Sequence, residues 1–352
     1  MTNNGVGDFS EFREQFFALA EKAKHIVVTA HMSPDDDSIA SVLTVYEVLT
    51  TTYPGKDVRI LYSGQKVDRW NSFAHFDQIT FVDDVANHIE GTDLLIGLDS
   101  SSGFSRFSKF PEKLEAIPNT IVIDHHASPT GNYTLSLVVP ESTSNAELLY
   151  HAIIEGTGLP LTKSLAEALL LGIVGDTGSF SHVPPSQSQV FPLAKELLEM
   201  VGVTIGEFRS RYGGVPMNIF PILQVLMKNT QFAEVKGWPP VQYAYLSRTD
   251  LEEGKFSDED MSAASHIYIG SYLPKIAGYH WGFVVTPRTD GTCRMSSRSL
   301  PTSVNVRVLH EQMGIGGGHD RAAGAGFTDL SEPTDCINRV LEFMKANQPV
   351  IG

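Results

Sequence analysis

The stretch Ile121, Val122, Ile123, Asp124, His125, His126 constrains this chain more than any other, because three β-branched residues run straight into an acid and two imidazoles. Continuous apolar runs of this kind form strands buried on both faces, and such strands belong to parallel sheets covered by helices on each side. The polar triplet then falls at the carboxyl end of the strand, the edge of an open α/β sheet where ligands bind. The pattern recurs along the chain. The run 25–30 ends on His31 and a loop carrying Asp35, Asp36 and Asp37, and the run 94–98 ends on Asp99. A helical stretch at 163–174 leads into Asp176, Thr177 and Gly178.

Around these points the periodicity predicts helices at 10–24, 39–50 and 143–155, and further strands at 58–63 and 79–82. Pro184 and Pro185, then Gly213, Gly214 and Pro216, punctuate the middle of the chain. Ser186 is placed to cap a helix reaching about 201. The second half reads as helix 218–228, strands 230–235 and 241–247, a helix from 257, strands 281–287 and 293–298, and helices 304–313 and 333–346. The expected fold class is α/β, with a first domain at 1–184, a helical linker at 185–216 and a smaller second domain at 217–352. A chain of 352 residues is long enough for two cores.

Composition narrows the partners. A formal charge of −15 argues against a broad basic surface tracking long nucleic acid, although a few aimed arginines and bound cations can still hold one or two phosphates. Only Cys293 and Cys336 are present, so a metal site here must use nitrogen and oxygen ligands. No apolar run approaches the roughly 20 residues of a membrane helix, and no membrane partner is expected. The polar opening residues do not resemble a secretory signal, which makes a cytoplasmic address the expectation.

Collected at one sheet edge, His31, Asp35, Asp37, Asp99, Asp124, His125, His126 and Asp176 call for cations, because packed carboxylates repel or protonate unless positive charge compensates them. Each has an ordinary reading alone. The three consecutive acids could cap a helix, Asp99 could form a turn, and the histidines could be partly buried core residues. Their joint occurrence favours the metal reading, and imidazole mixed with carboxylate shifts preference from Mg²⁺ toward Mn²⁺, Co²⁺, Fe²⁺ or Zn²⁺.

These residues resemble the DHH phosphoesterase superfamily, whose first domain carries a His-x-x-x-Asp-x-Asp motif, an isolated strand-end Asp, an Asp-His-His triplet and a later Asp-Thr-Gly motif. All four occur here in order. The resemblance implies a parallel-sheet domain with helices on both faces and two divalent ions, Mn²⁺ foremost with Mg²⁺ or Co²⁺ as alternatives. Asp99 would bridge them, His31 and Asp35 would hold the first, and Asp37, His125 and Asp176 the second. Asp124 would orient an imidazole and His126 would face the substrate phosphate.

The second half resembles the DHH-associated C-terminal domain of the nanoRNase, pAp phosphatase and RecJ-type branch, through Ser297, Arg298 and Ser299, then Gly316, Gly317, Gly318 and His319, and Ala322, Ala323 and Gly324. Arg298, Ser299, Gly316, Gly317, Gly318 and His319 are the implied substrate contacts. A glycine-rich turn leading into a helix would offer backbone N–H groups to an anion, and Arg298 its fork.

The implied reaction is hydrolysis of short oligoribonucleotides, linear dinucleotides or pAp to mononucleotides by a metal-bridging hydroxide, in a cleft closed by the second domain. An inorganic pyrophosphatase of the superfamily would need a Lys/Arg-rich C-terminal signature not found here. A RecJ-type single-strand exonuclease would need a basic channel. A non-catalytic nucleotide-binding module would have lost metal ligands that this chain keeps. Oligomeric state, a homodimer included, stays open at this level.

Overall fold

The structure, a computed structural model, describes residues 9–126 and 131–352, apart from the side chains of Pro274 and His319. The chain divides into two compact units, Met1–Gly214 and Val215–Gly352. No helix among the described residues is long and apolar enough to cross a membrane.

In the first unit β1 (His25–Ala30), β2 (Asp57–Ser63), β3 (Ile79–Val82), β4 (Leu94–Leu98), β5 (Asn119–Asp124) and β6 (Leu135–Val138) form one sheet in the order β3-β2-β1-β4-β5-β6. Every pairing in it is parallel. The strands with the longest apolar runs, β1, β4 and β5, lie at its centre because both their faces are covered. Ile26, Val28, Leu94, Ile96, Ile121 and Ile123 share the larger core. Val27, Leu95 and Val122, one residue out of phase, point to the other face with Phe104, Phe107 and Leu114.

The larger face carries α1 (Ser10–Lys22) and α2 (Asp36–Thr52), and the smaller is closed by α3 (Pro111–Glu115) and single helical turns. Next come α4 (Asn145–Leu149), running into a π-helical turn at Tyr150–Ile154, and α5 (Lys163–Asp176), which also lie on the larger face. Helices α6 (Val190–Val201) and α7 (Ile205–Ser210) bury Leu193, Leu197 and Phe208 in the same core. Most of the segment expected as a linker, 185–216, is therefore part of this unit. Burying each such side chain is worth roughly 1.5–3 kcal/mol, which outweighs the local Pro and Gly punctuation.

Strand register builds the functional edge. Ala30 pairs with Leu98, and Leu98 with Ile123, so the residues that follow, His31, Asp99 and Asp124, lie in one row. Strand order reverses between β1 and β4, which places this row at the topological switch point of the sheet.

The second unit contains α8 (Phe220–Lys228), β7 (Gln231–Ala233), β8 (Val241–Tyr245), α9 (Arg248–Gly254), α10 (Asp258–Ser271), β9 (Trp281–Pro287), β10 (Cys293–Ser299), α11 (Val306–Met313), β11 (Gly316–His319), β12 (Ala322–Phe327) and α12 (Pro333–Ala346). Its sheet runs β11-β12-β10-β9-β8-β7, with β8 and β9 parallel and the other pairs antiparallel. Trp281, Phe283, Val285 and Met295 face α11 and α12. Val284 and Ala244 face α8 and α10.

The glycine triplet departs from expectation. Gly314 ends α11 in the left-handed region, and Gly316, Gly317 and Gly318 then pair with β12 as a strand, so no helix follows them. A Cβ at Gly316 would meet the Gly324 carbonyl oxygen at 2.1 Å, and Gly318 has φ +145°. Backbone pairing and close approach thus account for two of the three glycines without a helix N-terminus.

One buried imidazole makes this unit sensitive to acid. His310 is fully buried with Nε2 2.8 Å from Ser297 Oγ, and burial lowers its pKa against a smaller opposite pull from the Gly324 backbone. Below the ordinary value near 6.5 the unfolded chain takes up a proton that the folded chain refuses. Stability is therefore complete above that pH and falls as pH drops through it, by up to about 1.4 kcal/mol per pH unit. Urea midpoints of the wild type should fall between pH 7 and pH 5.5 more steeply than those of His310→Gln. Equal slopes would show that His310 is not the group responsible.

Candidate metal centre

His31 follows β1 directly, and its Nε2 lies 3.4 Å from Asp35 Oδ2 and 3.2 Å from Asp99 Oδ2. Asp35 has two tasks, one for each oxygen. Its Oδ1 accepts from the Ser38 backbone N–H at 2.9 Å in a capping box that starts α2, while Oδ2 faces His31. Asp35 therefore caps α2 with one oxygen and faces His31 with the other.

Asp37 is fully buried on the first turn of α2. It accepts from the backbone N–H groups of Asn145, at 2.6 Å, and Ala146, at 3.0 Å, at the start of α4. Its Oδ2 is also 3.7 Å from His125 Nε2. Sequence reasoning missed what makes this seat possible. Gly172 of α5 lies so close that a Cβ there would come within 2.3 Å of Asp37 Oδ1 and 2.5 Å of the Ala146 Cβ. A glycine inside a strongly helical run costs about 1 kcal/mol relative to alanine, and that signal was available.

His125 closes the second cluster. Its Nε2 stands 3.1 Å from Asp176 Oδ2 and 3.5 Å from Asp99 Oδ1. Yet among the described residues neither His125 Nε2 nor Asp99 Oδ1, both buried, has a hydrogen-bond partner of acceptable geometry. His126 Nδ1 donates to Asp124 Oδ1 at 2.7 Å, and the His126 backbone N–H reaches the same oxygen at 3.1 Å. Asp99 itself is a non-glycine residue with φ +58°, a sparsely populated conformation that Asp tolerates better than most residues.

The donors form three groups whose ligand-type atoms lie within 4.8 Å of one another: His31, Asp35 and Asp99; Asp37, His125 and Asp176; and Asp99, His125 and His126. Their electrostatics show a deficit of positive charge. Burial alone would lower the pKa of His31, but Asp35 and Asp99 raise it to about 11. Burial opposes the charged form of His125 too, and Asp176 and Asp37 raise its pKa to about 10. Asp99 is pushed up to about 6, chiefly by burial, against the pull of His31. Burial, with Asp176 and Asp99 nearby, holds Asp37 well above the carboxylate range. Acids this closely packed push one another up and hold the imidazoles beside them toward the charged form, as expected where anions outnumber cations. Hard oxygens, imidazole nitrogens and buried unpartnered atoms at this spacing fit divalent cations.

The residues expected to touch substrate lie in the second unit. Arg298 and Ser299 turn to opposite faces of β10, because successive residues of a strand alternate. Arg298 is partly exposed and donates to the Ser297 carbonyl oxygen at 3.1 Å, whereas Ser299 is buried and accepts from Arg321 at 3.4 Å. Gly316, Gly317 and Gly318 lie on β11. The side chain of His319 lies outside the described residues.

Comparison with known proteins fits this architecture. Residues 25–173 match the DHH family, N-terminal domain, and residues 241–347 match the DHHA1 domain. The chain is 25% identical over 322 residues to the probable bifunctional oligoribonuclease and PAP phosphatase NrnA of Streptococcus mutans, covering 91% of this chain and 95% of that protein. It is 26% identical over 320 residues to the bifunctional oligoribonuclease and PAP phosphatase NrnA of Bacillus subtilis, covering 87% and 90%. In fold it is similar to an exopolyphosphatase-related protein from Bacteroides fragilis, with a TM-score of 0.81, 22% identity, and coverage of 96% and 97%. With a DHH N-terminal domain followed by a DHHA1 domain, the chain belongs to the DHH family.

Proposed function

We propose that this chain is a two-metal-ion phosphoesterase that hydrolyses short oligoribonucleotides, linear dinucleotides and pAp to mononucleotides. The observation that carries the reading is the placement of Asp99, whose Oδ2 faces His31 while its Oδ1 faces His125. One carboxylate thereby belongs to two donor groups. In this reading His31, Asp35 and Asp99 hold one ion, and Asp37, Asp99, His125 and Asp176 hold the other. Mn²⁺ is the first metal to test, with Mg²⁺ and Co²⁺ beside it. When bound, such ions lower the pKa of water and polarise phosphoryl oxygens.

The chain's own groups do the rest. Asp37 is fixed by two backbone N–H groups, and Asp35 by its capping bonds, so both carboxylates are oriented before any ligand arrives. Asp124 fixes the ring and the Nδ1 proton of His126, which this reading assigns to the substrate phosphate. In the second unit Arg298, the glycines 316–318 and His319 are assigned to the nucleotide. The names carried by the two NrnA relatives support that substrate class.

A Mn²⁺-dependent hydrolysis panel tests the proposal, covering pAp, a linear dinucleotide, a longer RNA, single-stranded DNA, a cyclic dinucleotide and pyrophosphate. Turnover should be greatest on pAp and the short RNAs, and EDTA should abolish it. Preference for pyrophosphate, or turnover that survives EDTA, would overturn the reading.

A further inference from the structure

One face of β10 carries Arg294, Ser296 and Arg298 toward α10. Arg294 donates to Ser262 Oγ on α10 at 3.3 Å, and both Arg294 and Arg298 lie close enough to His266 to help burial lower its pKa. Arg288 stands beside Arg294, but it is balanced by Asp258 and Asp290, each at 3.6 Å. Arg294 and Arg298 are different. Among the described residues neither has a carboxylate within 4.0 Å, and both are partly buried. A desolvated guanidinium without a counter-charge is costly, and an anion from outside the chain relieves that cost. Two such residues on one face are conspicuous in a chain of net charge −15.

The surface beside them is open. Arg288 and Arg294, but not Arg298, line a cleft of about 430 Å³ whose wall includes Gly324 and Gly326 of β12. Among the described residues a Cβ at Gly326 or Gly324 would meet nothing within 4 Å, and neither has positive φ, so the backbone there tolerates a side chain. Along β10, Arg294 and Arg298 are four residues apart, or roughly 13 Å at the rise of a strand. That spacing is comparable to two repeats of an extended nucleotide backbone.

We propose that Arg294 is a second phosphate subsite, separate from Arg298, that engages oligonucleotides of three or more residues and is not reached by pAp. The inference rests on the reading of the second unit as the nucleotide-binding part of a phosphoesterase, and it makes this chain a reader of substrate length. Arg298 takes a phosphate common to all substrates. Arg294 takes one that only the longer substrates possess.

The test is direct binding of a fluorescently labelled tetraribonucleotide and of labelled pAp to the full chain in EDTA, where no turnover occurs, for wild type, Arg294→Ala, Arg294→Lys and Gly326→Leu. Arg294→Ala should weaken the tetranucleotide about tenfold or more, as expected for a charged hydrogen-bonded contact, and leave pAp within about twofold. The slope of log affinity against log salt should become shallower by about 0.7 for the tetranucleotide alone. Arg294→Lys should restore part of the loss. Gly326→Leu, which the open space should accommodate, should repeat the length-selective effect by filling the cleft. Equal losses for both ligands, no loss for either, or no binding of the tetranucleotide to wild type would overturn the proposal. If the length-selective pattern appears but the wild type hydrolyses nothing with Mn²⁺, the phosphoesterase reading fails and the subsite stands.

Discussion

Replacing Asp99 with Asn should lower Mn²⁺-dependent turnover of pAp and dinucleotides by about a thousandfold or more, the kinetic equivalent of losing several kcal/mol of metal-derived transition-state stabilisation. Asn is chosen because it tolerates the left-handed backbone at φ +58° nearly as well as Asp, so the loop keeps its course. What disappears is the negative charge shared between His31 and His125. Stability should respond in the opposite sense to activity. Burial pushes the Asp99 pKa up to about 6, so this carboxylate is electrostatically disfavoured in the metal-free chain. The metal-free variant should therefore melt no lower than wild type. Mn²⁺ at a thousand times its Kd should stabilise wild type by about 4 kcal/mol and the variant by much less. Turnover within tenfold of wild type would remove Asp99 from the centre of the proposed mechanism.

The polar edge was legible in the sequence because fully buried strands must be written as continuous apolar runs. In β1, β4 and β5 those runs stop where chemistry begins. Their order in the sheet is not written in those runs, since parallel sheets occur in several orders; once β1, β4 and β5 pair side by side, the register aligns His31, Asp99 and Asp124. Other features left weaker traces. Strand β6 is Leu135, Ser136, Leu137, Val138 at the sheet edge, too short for its alternation to stand out. Strand β11 begins with three glycines, which have no side chains to show a period, and only its pairing with β12 defines it.

Asp37 illustrates the harder limit. Its place in a metal-type motif could be read locally, but its bonds to Asn145 and Ala146 span 108 and 109 residues. No local pattern encodes such a contact. The sequence could show that Asp37 is acidic, near a strand end and suited to a cation. It could not show that the same carboxylate also caps the start of α4 and is pressed against α5.

That double duty makes Gly172 the most informative position outside the donor set. Placed in the interior of α5, alanine should favour the helix by about 1 kcal/mol over glycine. Here its Cβ would stand 2.3 Å from Asp37 Oδ1 and 2.5 Å from the Ala146 Cβ. Neither neighbour can yield cheaply, since Asp37 is fully buried and Ala146 belongs to the helix start that holds it. Overpacking of this kind costs typically 1–3 kcal/mol, so the net change in stability for Gly172→Ala should be a modest loss. The effect on chemistry should be far larger. A displacement of about 1 Å in a positioned catalytic group costs on the order of a hundredfold in rate, and Gly172→Ala should lower kcat by that order while KM for pAp changes little. Melting temperature and kcat measured on the same preparation separate the two effects. If kcat falls only in proportion to the folded fraction, Gly172 serves packing alone; if it falls a hundredfold in a chain that is still folded, α5 sets the position of the Asp37 carboxylate, and the reach of the candidate metal centre extends to a residue with no ligand atom.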